Sequence, residues 1–122
     1  MITLGTQLLR ETTHETVIAV CRLAIAEAVH APEVARTLDA SGRATARAAL
    51  TQIMTHAQST GLLRGQVGEM VEQFAGMLWG DLLTSLLLRV AEQPSSRELA
   101  RRARTATAAL LKLYPAADEL TR

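Results

Sequence analysis

Between Val67 and Val90 the chain changes its hydrophobic pattern part-way along. In VGEMVEQFAGMLWGDLLTSLLLRV, the first half places Val67, Met70, Val71, Phe74 and Leu78 at the three- and four-residue steps that stack side chains on one helical face, with Glu69, Glu72 and Gln73 elsewhere. The second half is apolar nearly all round, through Leu82, Leu83, Leu86, Leu87, Leu88 and Val90. A helix of that kind must be covered on more than one side. The pattern predicts a central helix over 67–90, one side packed in the subunit's own core and another against a second subunit.

Five further helical segments read out around it. Leu4, Leu8 and Leu9 have helical spacing, but the run starts without a cap and reads as the tail of a longer helix. Thr12-Thr13-His14-Glu15 offers a capping box, which predicts a helix start there. The face of that helix runs Val17, Ile18, Cys21, Ile25, Ala28 and Val29, with Val20, Leu23 and Ala24 widening it, to about His30. Pro32 stops it and opens a short helix to Leu38, since a missing N–H costs nothing in a first turn. Asp39-Ala40-Ser41-Gly42 predicts a break, and Arg43 to Thr60 a long helix with the stripe Ala46, Leu50, Ile53, Met54 and Ala57, ended by Gly61. Ser95-Ser96-Arg97-Glu98 is a second capping box, opening a last helix from about Ser96 to Leu113. Its stripe is Leu99, Ala103, Ala106, Leu110 and Leu113, and Ala116–Arg122 reads as a frayed tail.

Composition supports this pattern. Hydrophobic residues make up 48% of the 122 and aromatics 2%, a balance that favours close-packed helices over sheets, so the expected fold is an all-α antiparallel bundle of about five helices in one domain. Thirteen Lys and Arg against twelve Asp and Glu leave a net charge of +1, too little to hold a polyanion. The lone Cys21 cannot close an internal disulfide and suits a reduced thiol used as a small hydrophobe, which points to the cytoplasm. The start lacks the flank and run of a secretory signal, and the apolar stretch Phe74 to Leu88 is interrupted by Asp81 and short of a membrane span.

The order of motifs resembles the regulatory part of TetR-family transcriptional repressors. The resemblance rests on Cys21-Arg22-Leu23-Ala24-Ile25-Ala26-Glu27-Ala28 followed by Ala31-Pro32-Glu33-Val34-Ala35, on Thr60-Gly61-Leu62-Leu63-Arg64, and on Glu72-Gln73-Phe74-Ala75-Gly76-Met77-Leu78 running into Gly80-Asp81-Leu82-Leu83. It implies a helical effector-binding and dimerisation domain whose last two long helices pair with their symmetry mates as a four-helix bundle. The residues expected at that interface are Asp81, Leu83, Leu86, Leu87 and Val90 with Leu99, Ala103, Ala106 and Leu110. The family's N-terminal helix-turn-helix has no counterpart in these residues, so operator DNA is expected to be met only through such a module in a longer regulator.

Chemistry-bearing residues are few. Asp81 is the one charge between Phe74 and Leu88; it either meets an effector or a partner Arg, or sits at an edge reaching water or a helix end. His14, His30 and His56 are too scattered for a metal site, and no nucleophile, base or phosphate-binding glycine loop stands in a motif that positions it, so neither metal, cofactor nor enzymatic activity is expected. Cys21, Ile25, Met54, Phe74, Met77, Leu78 and Trp79 are the candidates for an apolar pocket lining, with plain core packing the competing role for each. Arg101, Arg102 and Arg104 read as a solvated basic face. The sequence favours a dimeric regulatory domain sensing a small apolar molecule; the alternative is a stand-alone dimeric interaction module with no ligand.

Overall fold

The structure, a computed structural model, describes residues 1–116. Seven α-helices run in chain order: α1 (Ile2–Thr13), α2 (Glu15–Ala26), α3 (Pro32–Leu38), α4 (Ala44–Ser59), α5 (Val67–Trp79), α6 (Leu82–Leu87) and α7 (Ser96–Leu113), with no strand among the described residues. The all-α bundle expected from the sequence is the observed fold.

The helix starts and stops follow local chemistry. Ser95 caps α7 by accepting from the Glu98 amide at 3.1 Å, as its capping box predicts, and Gln66 caps α5 by accepting from the Glu69 amide at 2.6 Å. Gly61, at φ +80°, turns the chain out of α4 in the left-handed conformation expected of it.

The first capping box does not form. Thr12 and Thr13 remain in α1, where their hydroxyls donate back to the carbonyls of Leu8 (2.8 Å) and Leu9 (2.7 Å), and His14 caps α2 in their place, its Nδ1 accepting from the Thr16 amide at 3.2 Å. A threonine hydroxyl serves either purpose, and here the bond within the helix wins. The expected break at 39–42 is helical too. Asp39–Arg43 form a π-helical turn, in which the Ala44 amide reaches the Asp39 carbonyl, so the backbone runs helically from Pro32 to Ser59.

Two differences rearrange the core. The central helix predicted over 67–90 is broken: Gly80 at φ +50° ends α5, and only six residues of α6 follow. Of the leucines expected to wrap a continuous rod, Leu86 is buried, Leu82, Leu83 and Leu87 are half-buried, and Leu88 is exposed. Conversely α1, read as a tail, is a core helix. It lies against α7, α5, α6 and α2, and its Leu8 and Leu9 share one buried cluster with Leu50, Met54, Met70, Phe74, Leu78, Leu99 and Leu110. No helix among the described residues is long and apolar enough to cross a membrane. The tail expected at Ala116–Arg122 lies, from residue 117 on, outside the described residues.

Candidate functional site

The candidate pocket lining is divided by the fold. Met54, Phe74 and Leu78 are fully buried core, and Met77 and Trp79 are half-buried at its edge. Cys21 is half-buried and Ile25 is 63% exposed on α2, which packs chiefly on α1, α3 and α6 rather than on α4 or α5. α1 lies against both α2 and α5, where a pocket lined by these residues would have opened. For Met54, Phe74 and Leu78, core packing is therefore the role observed.

What α2 forms with α3 is a groove of about 320 Å³, lined by Val20, Val34 and Leu38 with Glu33, Thr37 and Ser41. α2 leaves Val17, Val20, Leu23 and Ile25 exposed, of which Val20 lines the groove, and Val29 in the turn after the helix is 88% exposed, while only Ile18 and Ala24 of this helix are buried. A second, larger cleft of about 550 Å³ lies where α1 meets α2 and the start of α7, and its rim is polar, with Arg10, His14, Glu15 and Gln93. Burial pushes the Cys21 thiol above its ordinary pKa. At neutral pH the thiolate is thus scarcer than in an open peptide, and alkylation by iodoacetamide is expected to run several-fold slower than for the unfolded chain.

Two arginines, neither singled out as a site by sequence, bind helix ends. Arg102 donates from Nε to the Leu78 carbonyl (3.2 Å) and from Nη2 to the Trp79 carbonyl (2.9 Å), closing the C-terminus of α5. Arg22 donates to the Leu87 (3.0 Å) and Leu86 (2.6 Å) carbonyls at the end of α6. Arg102 therefore differs from its neighbours in the basic cluster: Arg104 is exposed and Arg101 pairs with Glu98 at 3.8 Å on the surface. The one signal in the sequence was spacing, since residue 102 falls beside the buried stripe 99–103–106–110.

The family model of the C-terminal domain of AefR-like transcriptional repressors, a TetR-type domain, matches residues 1–116. The chain belongs to this family. No curated protein and no solved structure matches it. Domains of this AefR-like, TetR type are regulatory parts of transcriptional regulators and are generally not enzymes.

In this AefR-like domain the expected interface residues separate by depth. Leu99, Ala103, Ala106 and Leu110 are buried inside the subunit, because α1 and α5 pack on that stripe of α7, and Leu86 is buried on α6, which lies against α2 and α1. Within the single subunit they are core rather than open surface, as follows from α1 being a core helix. Leu83 and Leu87 are half-buried, and Asp81 and Val90 exposed. Asp81 stands at the N-cap position of α6 with its side chain making no capping bond, so its carboxylate carries no burial cost. One outward row of α7 is Arg97, Arg101, Arg104, Ala108 and Leu111; one of α5 is Glu69, Glu72 and Gly76.

Proposed function

We propose that this AefR-like domain senses a small, mainly apolar molecule in the α2–α3 groove and pairs with a second copy through the outward faces of α5 and α7. The observation that carries the effector reading is the apolar side of α2: a single subunit leaves Val17, Val20, Leu23 and Ile25 in water, and Val20 lines with Val34 and Leu38 a groove whose rim holds a few polar groups. Sites for small molecules are mostly apolar with a small number of orienting polar side chains, and this groove lies at the lower end of their usual size. Thermal-shift screening of small apolar compounds tests it. A matching compound raises the midpoint of the wild type and leaves Val20→Asp or Val34→Asp unmoved. A chain that dimerises but is shifted by no compound would instead be an interaction module.

The pairing reading rests on charge and size. Glu69 and Glu72 make the open face of α5 acidic, Arg97, Arg101 and Arg104 make that of α7 basic, and Gly76 and Ala108 leave room for close approach. A two-fold axis laying α5 of one copy on α7 of the other sets each acidic face on a basic one, which is how a self-complementary surface pairs. Reversing one sign is expected to weaken the dimer about tenfold or more, because like charges then oppose each other at both ends of the axis. Sedimentation equilibrium checks this: Glu72→Arg and Arg104→Glu each dissociate, and together they recover the dimer. Effector binding would act on gene control by favouring one of two dimer geometries, which requires different affinity for each.

A further inference from the structure

α6 is a six-residue helix set between two left-handed residues, Gly80 at φ +50° before it and Arg89 at φ +61° after it. A helix that short has no stability of its own, and only Leu86 of it is buried. Its position is held from outside. At its near boundary Arg102 of α7 grips the last carbonyls of α5, and the Arg102 Nη2 lies 3.1 Å from where a Cβ at Gly80 would stand. At its far boundary Arg22 of α2 grips the last carbonyls of α6 itself. Helix C-termini carry partial negative charge and unpaired carbonyls, so a guanidinium fork at each is a strong, directional hold. Among the described residues the ion pairs are Arg43 with Asp39 and Arg101 with Glu98, so both half-buried forks are committed to backbone.

We infer that α6 is a rigid link that couples the position of α2 to the ends of α5 and α7. Drawing α2 aside pulls on Arg22 and hence on the end of α6; the short block moves as a unit, and because Gly80 stands against the Arg102 guanidinium the displacement strains the Arg102 grip. Trp79 sits at that receiving end. Its indole Nε1 donates to the Thr12 hydroxyl of α1 at 2.8 Å, and its carbonyl accepts from Arg102. The link thus also reaches α1. Its use by an effector rests on the groove reading above, whereas the link itself does not.

Trp79 is the sole tryptophan in the chain, so its fluorescence reads the far end of the link directly. Arg22→Lys keeps the charge and removes the two-carbonyl fork. In the full chain without ligand, and with helical circular dichroism unchanged, this variant is expected to raise acrylamide quenching of Trp79 by about two-fold or more, and Arg102→Lys to do the same with little added by the pair together. Arg22→Lys quenching equal to wild type would overturn the link. If either variant does not fold, native-state hydrogen exchange on the wild type decides: amides of 79–81 and 82–87 opening with one common free energy support the link, and α6 opening alone overturns it.

Discussion

Phe74→Ala is expected to lower the stability of the domain by about 3–5 kcal/mol, the cost of truncating a large buried ring where the surroundings relax only partly. Phe74 is wholly buried on α5, and its ring lies at a crossing of three helices: its Cζ is 3.5 Å from where a side chain on Gly5 of α1 would start, beside Leu78 of α5 and Ala103 of α7. Small helical domains have about 5–15 kcal/mol in all, so the loss is a large share of it. Urea denaturation followed by circular dichroism measures it, and the denaturant dependence should stay near that of wild type if the variant remains two-state. Phe74→Leu keeps most of the volume and should fall well short of the same loss. An alanine variant within about 1 kcal/mol of wild type would mean that the three helices do not meet on this ring.

The fold was legible where one residue type has one local role. Ser95, Pro32 and Gly61 each did what their chemistry allows in few other ways, and the apolar stripes of α4, α5 and α7 point inward as their spacing requires, except for Leu113, which is exposed at the end of α7. It was illegible where a residue has two local options of similar free energy. Thr12 and Thr13 could cap α2 or bond back within α1, and residues 39–43 could break a helix or absorb one extra residue as a π-turn. Gly80 is the costliest of these ambiguities. A glycine inside a periodic run is tolerated in many helices, and nothing local to it announces φ +50°, which the Arg102 fork and the packing of α7 favour from outside.

The site was less legible than the fold, for a reason seen in α1. Hydrophobic spacing says which face of a helix is covered and is silent on what covers it. Leu4, Leu8 and Leu9 are only three positions, and in sequence they weigh little beside the leucines of 82–88. In space they win, because α1 enters between α5 and α7 at Gly5 and fills the room in which a pocket of Met54, Phe74 and Leu78 would have opened. With that room taken, the broad apolar face of α2 has only α1, α3 and α6 to lie on, and Val20, Leu23 and Ile25 are left outside. The open groove and the buried stripe of α7 are thus two results of one packing choice.

Gly5→Val tests that choice, and it is expected to cost about 2–3 kcal/mol or more, the upper part of the range for overpacking a filled crossing. A Cβ at Gly5 would stand 3.3 Å from the Ala103 Cβ and 3.3 Å from Leu78 Cδ1, so even alanine is a squeeze, offset by the roughly 1 kcal/mol that alanine gains over glycine in a helix. Valine adds two methyl groups pointing at the same neighbours and lacks most of that propensity gain. α1 must then lift from α7, and because Leu8 and Leu9 travel with it, the loss spreads beyond the contact itself. Gly76 supplies the comparison. Nothing lies within 4 Å of a Cβ there, so Gly76→Ala should stabilise a dilute single subunit by about 0.5–1 kcal/mol. Unfolding both variants in urea at low protein concentration gives opposite signs if α1 is seated in the core. Repeating Gly76→Ala at high concentration then asks a separate question, since a second copy resting on the open face of α5 would take back part of the gain.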